Sequence, residues 1–236
     1  MRDFLFLAAP HTLATFTCRR WSILPVKCLG EVIFLKNSYK RYQNARDAAW
    51  KVLLDCGISS LPVRPSEICR HYNWVLATYE AGAHIIDVLG LQRLPAETDG
   101  FCTISGNHTY IFYNDALPVS RKRFTVAHEI GHIVLGHVGN GMATVQNREP
   151  TGRENPLERQ ANQFAARLLA PACVLHALGA TTPEEIQYLC GLSQQAARYR
   201  AARLRQLEER NRFCASPLER RVLANFQAYI KCRNQL

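Results

Sequence analysis

The sequence predicts an α+β fold, with helices first, then a small sheet, then helices to the end of the chain. Three observations carry this. Residues 42–56 have a helical apolar period. Residues 73–113 hold three short stretches rich in β-branched and aromatic side chains. From about residue 156 onward the pattern is helical again. Helices and strands segregated along the chain, rather than alternating, argue for α+β rather than α/β.

Ala45, Ala48, Ala49, Val52 and Leu53 share one face of the first helix. Gly57 ends it, and Pro62 and Pro65 follow. Ser66 is read as the cap of a short helix running through Tyr72. Residues 73–79 read as a strand. Residues 100–104 and 109–113 read as a hairpin turning at Gly106-Asn107. A helix follows from about Ser120 to Val138, then a Gly-rich loop. The next helix runs from about Pro156 to Ala170 and is stopped by Pro171.

At the C-terminal side, Thr182-Pro183-Glu184-Glu185 opens a helix and Gly191-Leu192-Ser193 makes a turn and cap. A basic helix follows from Gln194 to Arg210, in a pattern like a helix-turn-helix. Gln187 and Ala197 occupy places where that motif wants a small and a larger aliphatic residue, which weakens the match. Packing or substrate docking is therefore the stronger reading of this region, and DNA contact the weaker. Residues 213–236 read as one more amphipathic helix with Val222, Phe226 and Ile230 on a face. The division expected is an N-terminal extension (1–40), a main domain (41–172) and a helical, HTH-like region (173–236).

Composition narrows the function classes. Apolar residues at 47% and charged residues at 20% fit a globular chain, not a disordered one. No apolar run reaches the length of a membrane span. The first twenty residues resemble a signal peptide only weakly, because Asp3, Pro10 and His11 break the pattern. Nine cysteines, an odd number without CxxC pairs, suit reduced thiols in the cytoplasm. The net charge is +10. Residues 191–236 hold ten Lys/Arg against three Glu, a local +7 read as a solvated helical face.

The strongest signal is His128-Glu129-Ile130-Gly131-His132, an HExxH. Residues four apart on a helix differ by only about 40° in direction and about 6 Å in height. Two imidazoles so placed can bind one Zn²⁺, with Glu129 beside them to accept a proton from water. Two histidines and a glutamate inside an apolar helix also need partners, which a metal provides. Gly131 leaves room for another backbone to approach.

A third ligand is needed. Glu158 is the preferred candidate, since Glu158, Ala161, Asn162 and Ala165 share a helix face. The alanines permit close packing, and Asn162 could orient a ligand histidine. Glu158 could instead complete a capping box with Asn155. Glu149 and Glu154 compete on chemistry. Cys102 could serve as in a deformylase-like site. His137 would point away on a continuous helix.

Residues 123–132 resemble the RFTxAHExGH signature of the ImmA/IrrE metallopeptidases. Residues 158–171 resemble that family's ExEANxFAAxLLxP signature, departing from it at Gln160, where a second Glu is common. The likeness covers about residues 42–205. It implies a zincin-like domain with His128, His132 and Glu158 as zinc ligands and Glu129 as catalytic base. It further implies a cytoplasmic bacterial endopeptidase that cuts a helix-turn-helix transcriptional repressor. The substrate backbone is expected along Thr109–Tyr113 as an edge strand, with Tyr110 or Tyr113 as weak choices for stabilising the oxyanion. The competing readings are a zinc-stabilised repressor-binding protein that does not cut, and a DNA-binding regulator.

Overall fold

The computed structural model describes residues 45–141, 143–144 and 155–235. The N-terminal extension, the weak signal-like stretch, Glu149 and Glu154 lie outside the described residues.

Among the described residues, two helices, α1 (Ala45–Asp55) and α2 (Pro65–His71), precede strand β1 (Val75–Thr78). Helix α2 starts two residues earlier than a cap at Ser66 would place it. Pro65, whose fixed φ suits the first helical position, opens it, and Ser66 lies inside rather than capping it. Two short helices, α3 (Ala83–Val88) and α4 (Leu94–Glu97), lead to the hairpin β2 (Gly100–Ser105) and β3 (His108–Tyr113).

The three-stranded sheet has the order β1-β3-β2. Strand β3 runs parallel to β1, with Val75 beside Tyr110, and antiparallel to β2, with Cys102 beside Ile111. This corrects the expected docking edge. With neighbours on both sides, Thr109–Tyr113 has its backbone groups committed to the ladder and cannot receive a further strand. The edges are β1 and β2.

Alternation along β2 and β3 sorts side chains onto two faces. Cys102, Ile104 and Ile111 join the main core, while Phe101 and Phe112 form a second cluster with Ile86 and Leu94. Helices α3 and α4 therefore exist to cover the far face of the sheet. The Phe101 and Phe112 rings lie 5.2 Å apart there.

Helix α5 (Val119–Leu135) carries the HExxH and is buried without a break from Thr125 to His132. A helix apolar on nearly all sides belongs inside a protein. It ends at Gly136, whose φ of 75° favours glycine. Helix α6 (Pro156–Leu169) packs against it, with Ala161 and Ala165 fully buried. The approach is close. A Cβ on Gly131 would stand 2.9 Å from a Phe164 ring carbon and 3.3 Å from the Ala161 Cα.

The remaining helices are α7 (Ala172–Ala177), α8 (Pro183–Cys190), α9 (Gln194–Glu209), α10 (Pro217–Asn225) and α11 (Gln227–Asn234). The single C-terminal helix expected is two, divided at Phe226, although Val222, Phe226 and Ile230 are all buried as expected. Thr182 and Glu185 form a capping box at the start of α8. Arginines tie these helices to the rest. Arg123 donates to the carbonyls of Cys190 (2.8 Å), Gly191 (2.9 Å) and Val63 (2.6 Å). Arg200 donates to the Ala170 carbonyl at the end of α6. One apolar core runs from Ala45 to Ile230. Among the described residues, no helix is long and apolar enough to cross a membrane.

Candidate metal centre

Helix α5 places His128 and His132 one turn apart with their Nε2 atoms 3.0 Å from each other. Glu158 reaches over from the first turn of α6. One of its carboxylate oxygens lies 3.1 Å from His128 Nε2 and the other 3.3 Å from His132 Nε2. Each of the three residues offers a donor atom, and these atoms all lie within 4.8 Å of one another.

Glu158 does not complete a capping box. Asn155 caps α6 by accepting from the Leu157 N–H at 2.9 Å, and the Glu158 carboxylate turns to the histidines. The two other described candidates stand elsewhere. Cys102 is fully buried with its Sγ 3.5 Å from the Glu129 carbonyl. Burial and the nearby Glu129 charge hold its thiol well above the usual range. His137 sits behind His132, with the two Nδ1 atoms 3.2 Å apart.

The hydrogen bonds behind the imidazoles decide which nitrogen faces the centre. His128 Nδ1 lies 2.9 Å from Asn162 Oδ1, so it must carry the proton and donate. His137 Nε2 lies 3.3 Å from Gln160 Oε1 and donates there. Its Nδ1 is then an acceptor for His132 Nδ1–H. Burial, with His132 alongside, lowers the pKa of His137 and keeps it neutral for that role. In their neutral forms both imidazoles thus turn an unprotonated Nε2 to the same point, with their tautomers fixed from behind.

The spacing fits a small divalent cation. Bonds of about 2.0–2.1 Å in a tetrahedron give edges of about 3.3–3.4 Å. The observed separations are 3.0, 3.1 and 3.3 Å. Two lone pairs facing each other in a site where His128 is 5% and His132 is 3% exposed repel unless a positive charge lies between them. The titration of the group without metal reflects the same need. Burial opposes charge on His128, but bonding to Glu158 and the charge of Glu129 outweigh it and raise its pKa. Burial likewise opposes charge on Glu158, yet the bonds from both histidines bring its carboxyl down to about 2.

Glu129 is 2% exposed, and burial raises its pKa against the pull of both histidines. It is not one of the three converging groups. Its Oε2 accepts from the Thr144 hydroxyl at 2.8 Å. Thr144, His137 and Gln160 contribute contacts that motif reading did not foresee. For His137 and Gln160 the available signal was a histidine just past the helix-ending Gly136 and a polar side chain two residues after Glu158.

His137 gives a direct test of the supporting shell. His137→Phe is expected to weaken zinc binding by about 10–100-fold, because His132 loses the acceptor that fixes its ring. Competition with a chromophoric chelator measures it, and an unchanged zinc Kd would show that the His132 tautomer needs no help.

A family profile described as the IrrE N-terminal-like domain of peptidase M78 matches residues 81–203. That span holds both histidines, Glu129 and Glu158. No curated protein and no solved structure matches the chain. Since the match covers 123 of the 236 residues, this chain belongs to the ImmA/IrrE family of metallopeptidases.

Proposed function

We propose that this protein is a zinc-dependent endopeptidase that cuts a helix-turn-helix transcriptional repressor in the cytoplasm. The observation that carries the chemistry is the convergence of two imidazole nitrogens and a carboxylate at tetrahedral spacing, with a second buried carboxylate beside them. His128, His132 and Glu158 would hold the ion, leaving a fourth position open. A zinc ion held there would supply Lewis acidity and lower the pKa of a bound water towards neutral.

Glu129 is the general base. Burial has raised its proton affinity, so it takes the water proton readily and can pass it to the leaving amine. His128 is oriented by Asn162, and His132 by His137 with Gln160 behind it. The main domain reads as zincin-like, since a sheet edge lies against the HExxH helix: Cys102 of β2 reaches the Glu129 carbonyl. The substrate is assigned to the outer edge of β2 rather than to β3. The choice of a repressor as substrate follows the family likeness. The scattered cysteines, free wherever they fall among the described residues, support a reducing compartment. Helices α8 and α9 serve as a docking or packing unit, because Arg123 and Arg200 are spent on carbonyls inside the protein.

The test is to load the chain with zinc and incubate it with the small helix-turn-helix repressor encoded nearest to it. About one zinc per chain is expected. Mass spectrometry should show two fragments summing to the repressor plus one water. Cleavage should stop with 1,10-phenanthroline and return with added zinc. A zinc-loaded chain that binds the repressor and leaves it whole would turn the reading to sequestration.

A further inference from the structure

The outer edge of β2 is already occupied by the chain itself. Gly141 N–H donates to the Ile104 carbonyl at 2.7 Å, and Thr144 N–H donates to the Cys102 carbonyl at 2.9 Å. Cys102 N–H donates to Thr144 Oγ1 at 2.9 Å. Ala143 pairs with Thr103, and Asn140 with Ile104, as isolated bridges. In an antiparallel strand every second residue turns its backbone groups away from its partner. Cys102 and Ile104 are the β2 residues whose groups face outward here, and residues following α5 take them. An extended peptide joining this edge would need those same groups.

The same stretch covers the base. Thr144 has one hydroxyl proton, and it points to Glu129 Oε2 at 2.8 Å. That bond occupies one of the lone pairs of Oε2, and Glu129 is left 2% exposed.

We propose that residues 140–141 and 143–144 are an internal competitor for the peptide-binding edge, holding the β2 groups that a substrate backbone must take and covering Glu129 until it is displaced. This rests on the metallopeptidase reading above. Displacement exchanges like for like, since backbone bonds to Cys102 and Ile104 are lost and remade. The exchange also selects. A short ligand that reaches only the metal leaves the competitor in place, whereas a segment able to pair along β2 must displace it.

The experiment compares two zinc-binding probes by calorimetry on the zinc-loaded 236-residue chain. Acetohydroxamate reaches the metal alone, and the peptidyl hydroxamate Pro-Leu-Gly-NHOH also needs backbone pairing. Thr144→Pro removes both the N–H and the hydroxyl of the competitor, and Gly141→Pro removes its other N–H donor. Circular dichroism checks that each variant is folded. Freeing an edge that is open about a tenth of the time should tighten Pro-Leu-Gly-NHOH about tenfold, with acetohydroxamate unchanged. Equal or weaker binding of the peptidyl probe in both variants, with acetohydroxamate still bound, overturns the competitor alone. Absence of acetohydroxamate binding to any of the three proteins overturns the metal centre, and the competitor with it.

Discussion

Replacing Glu129 by Gln is expected to lower the rate of substrate cleavage by about 10²–10⁴-fold while one zinc per chain is retained. The substitution changes very little else. Gln has the same length and can still accept from the Thr144 hydroxyl, now 2.8 Å from Glu129 Oε2, through its amide oxygen. It cannot take up a proton. The three converging donor atoms belong to His128, His132 and Glu158, so the ion keeps its ligands. Stability should hold or rise, because burial already penalises the Glu129 charge. Single-turnover cleavage and zinc content, measured on the same preparation, check both halves. A variant that cuts at the parent rate would remove Glu129 from the chemistry. One that loses zinc would make it a structural support for the site instead.

What sequence could show of this site followed from how local each relation is. The shared face of His128 and His132 needs only helical periodicity. Ala161 and Ala165 signal a close helix contact, and Glu158 and Asn162 lie along that same face, opposite His132 and His128. His137 is less legible, because a helix continuing to residue 138 would turn it away from His128. The helix stops at Leu135, Gly136 turns left-handed, and the chain doubles back to bring His137 against His132. Thr144 carries no motif, and it reaches Glu129 only through pairing with β2, forty-two residues away.

Strand order was hidden for the same reason. The hairpin of β2 and β3 is a local event with a local turn signal. The parallel pairing of β1 with β3 spans two intervening helices and a strand, and nothing in a single sequence states it. Helices α3 and α4 are six and four residues long, too short for periodicity to register. Their role becomes visible only once Phe101 and Phe112 are seen on the far face of the sheet.

Gly131→Ala is expected to weaken zinc binding by about 10–100-fold, although alanine is the better helix former by about 1 kcal/mol. The added methyl would meet the Phe164 ring at 2.9 Å and the Ala161 Cα at 3.3 Å. Phe164 has no exposed surface to swing into, and Ala161 presents backbone. The strain of overpacking, about 1–3 kcal/mol, is therefore relieved by α6 moving outward. Glu158 and Asn162 flank Ala161 on that helix, so the same shift draws a donor from the metal and an acceptor from His128. Gly57→Ala is the control. Its Cβ would meet nothing within 4 Å, but φ is 63°, so it should cost about 1–2 kcal/mol of stability with the zinc Kd unchanged. Zinc competition assays and thermal unfolding on the two variants separate these effects. If Gly131→Ala lowered Tm and left zinc affinity at the parent value, the spacing of α5 and α6 would not be what holds Glu158 to the histidines.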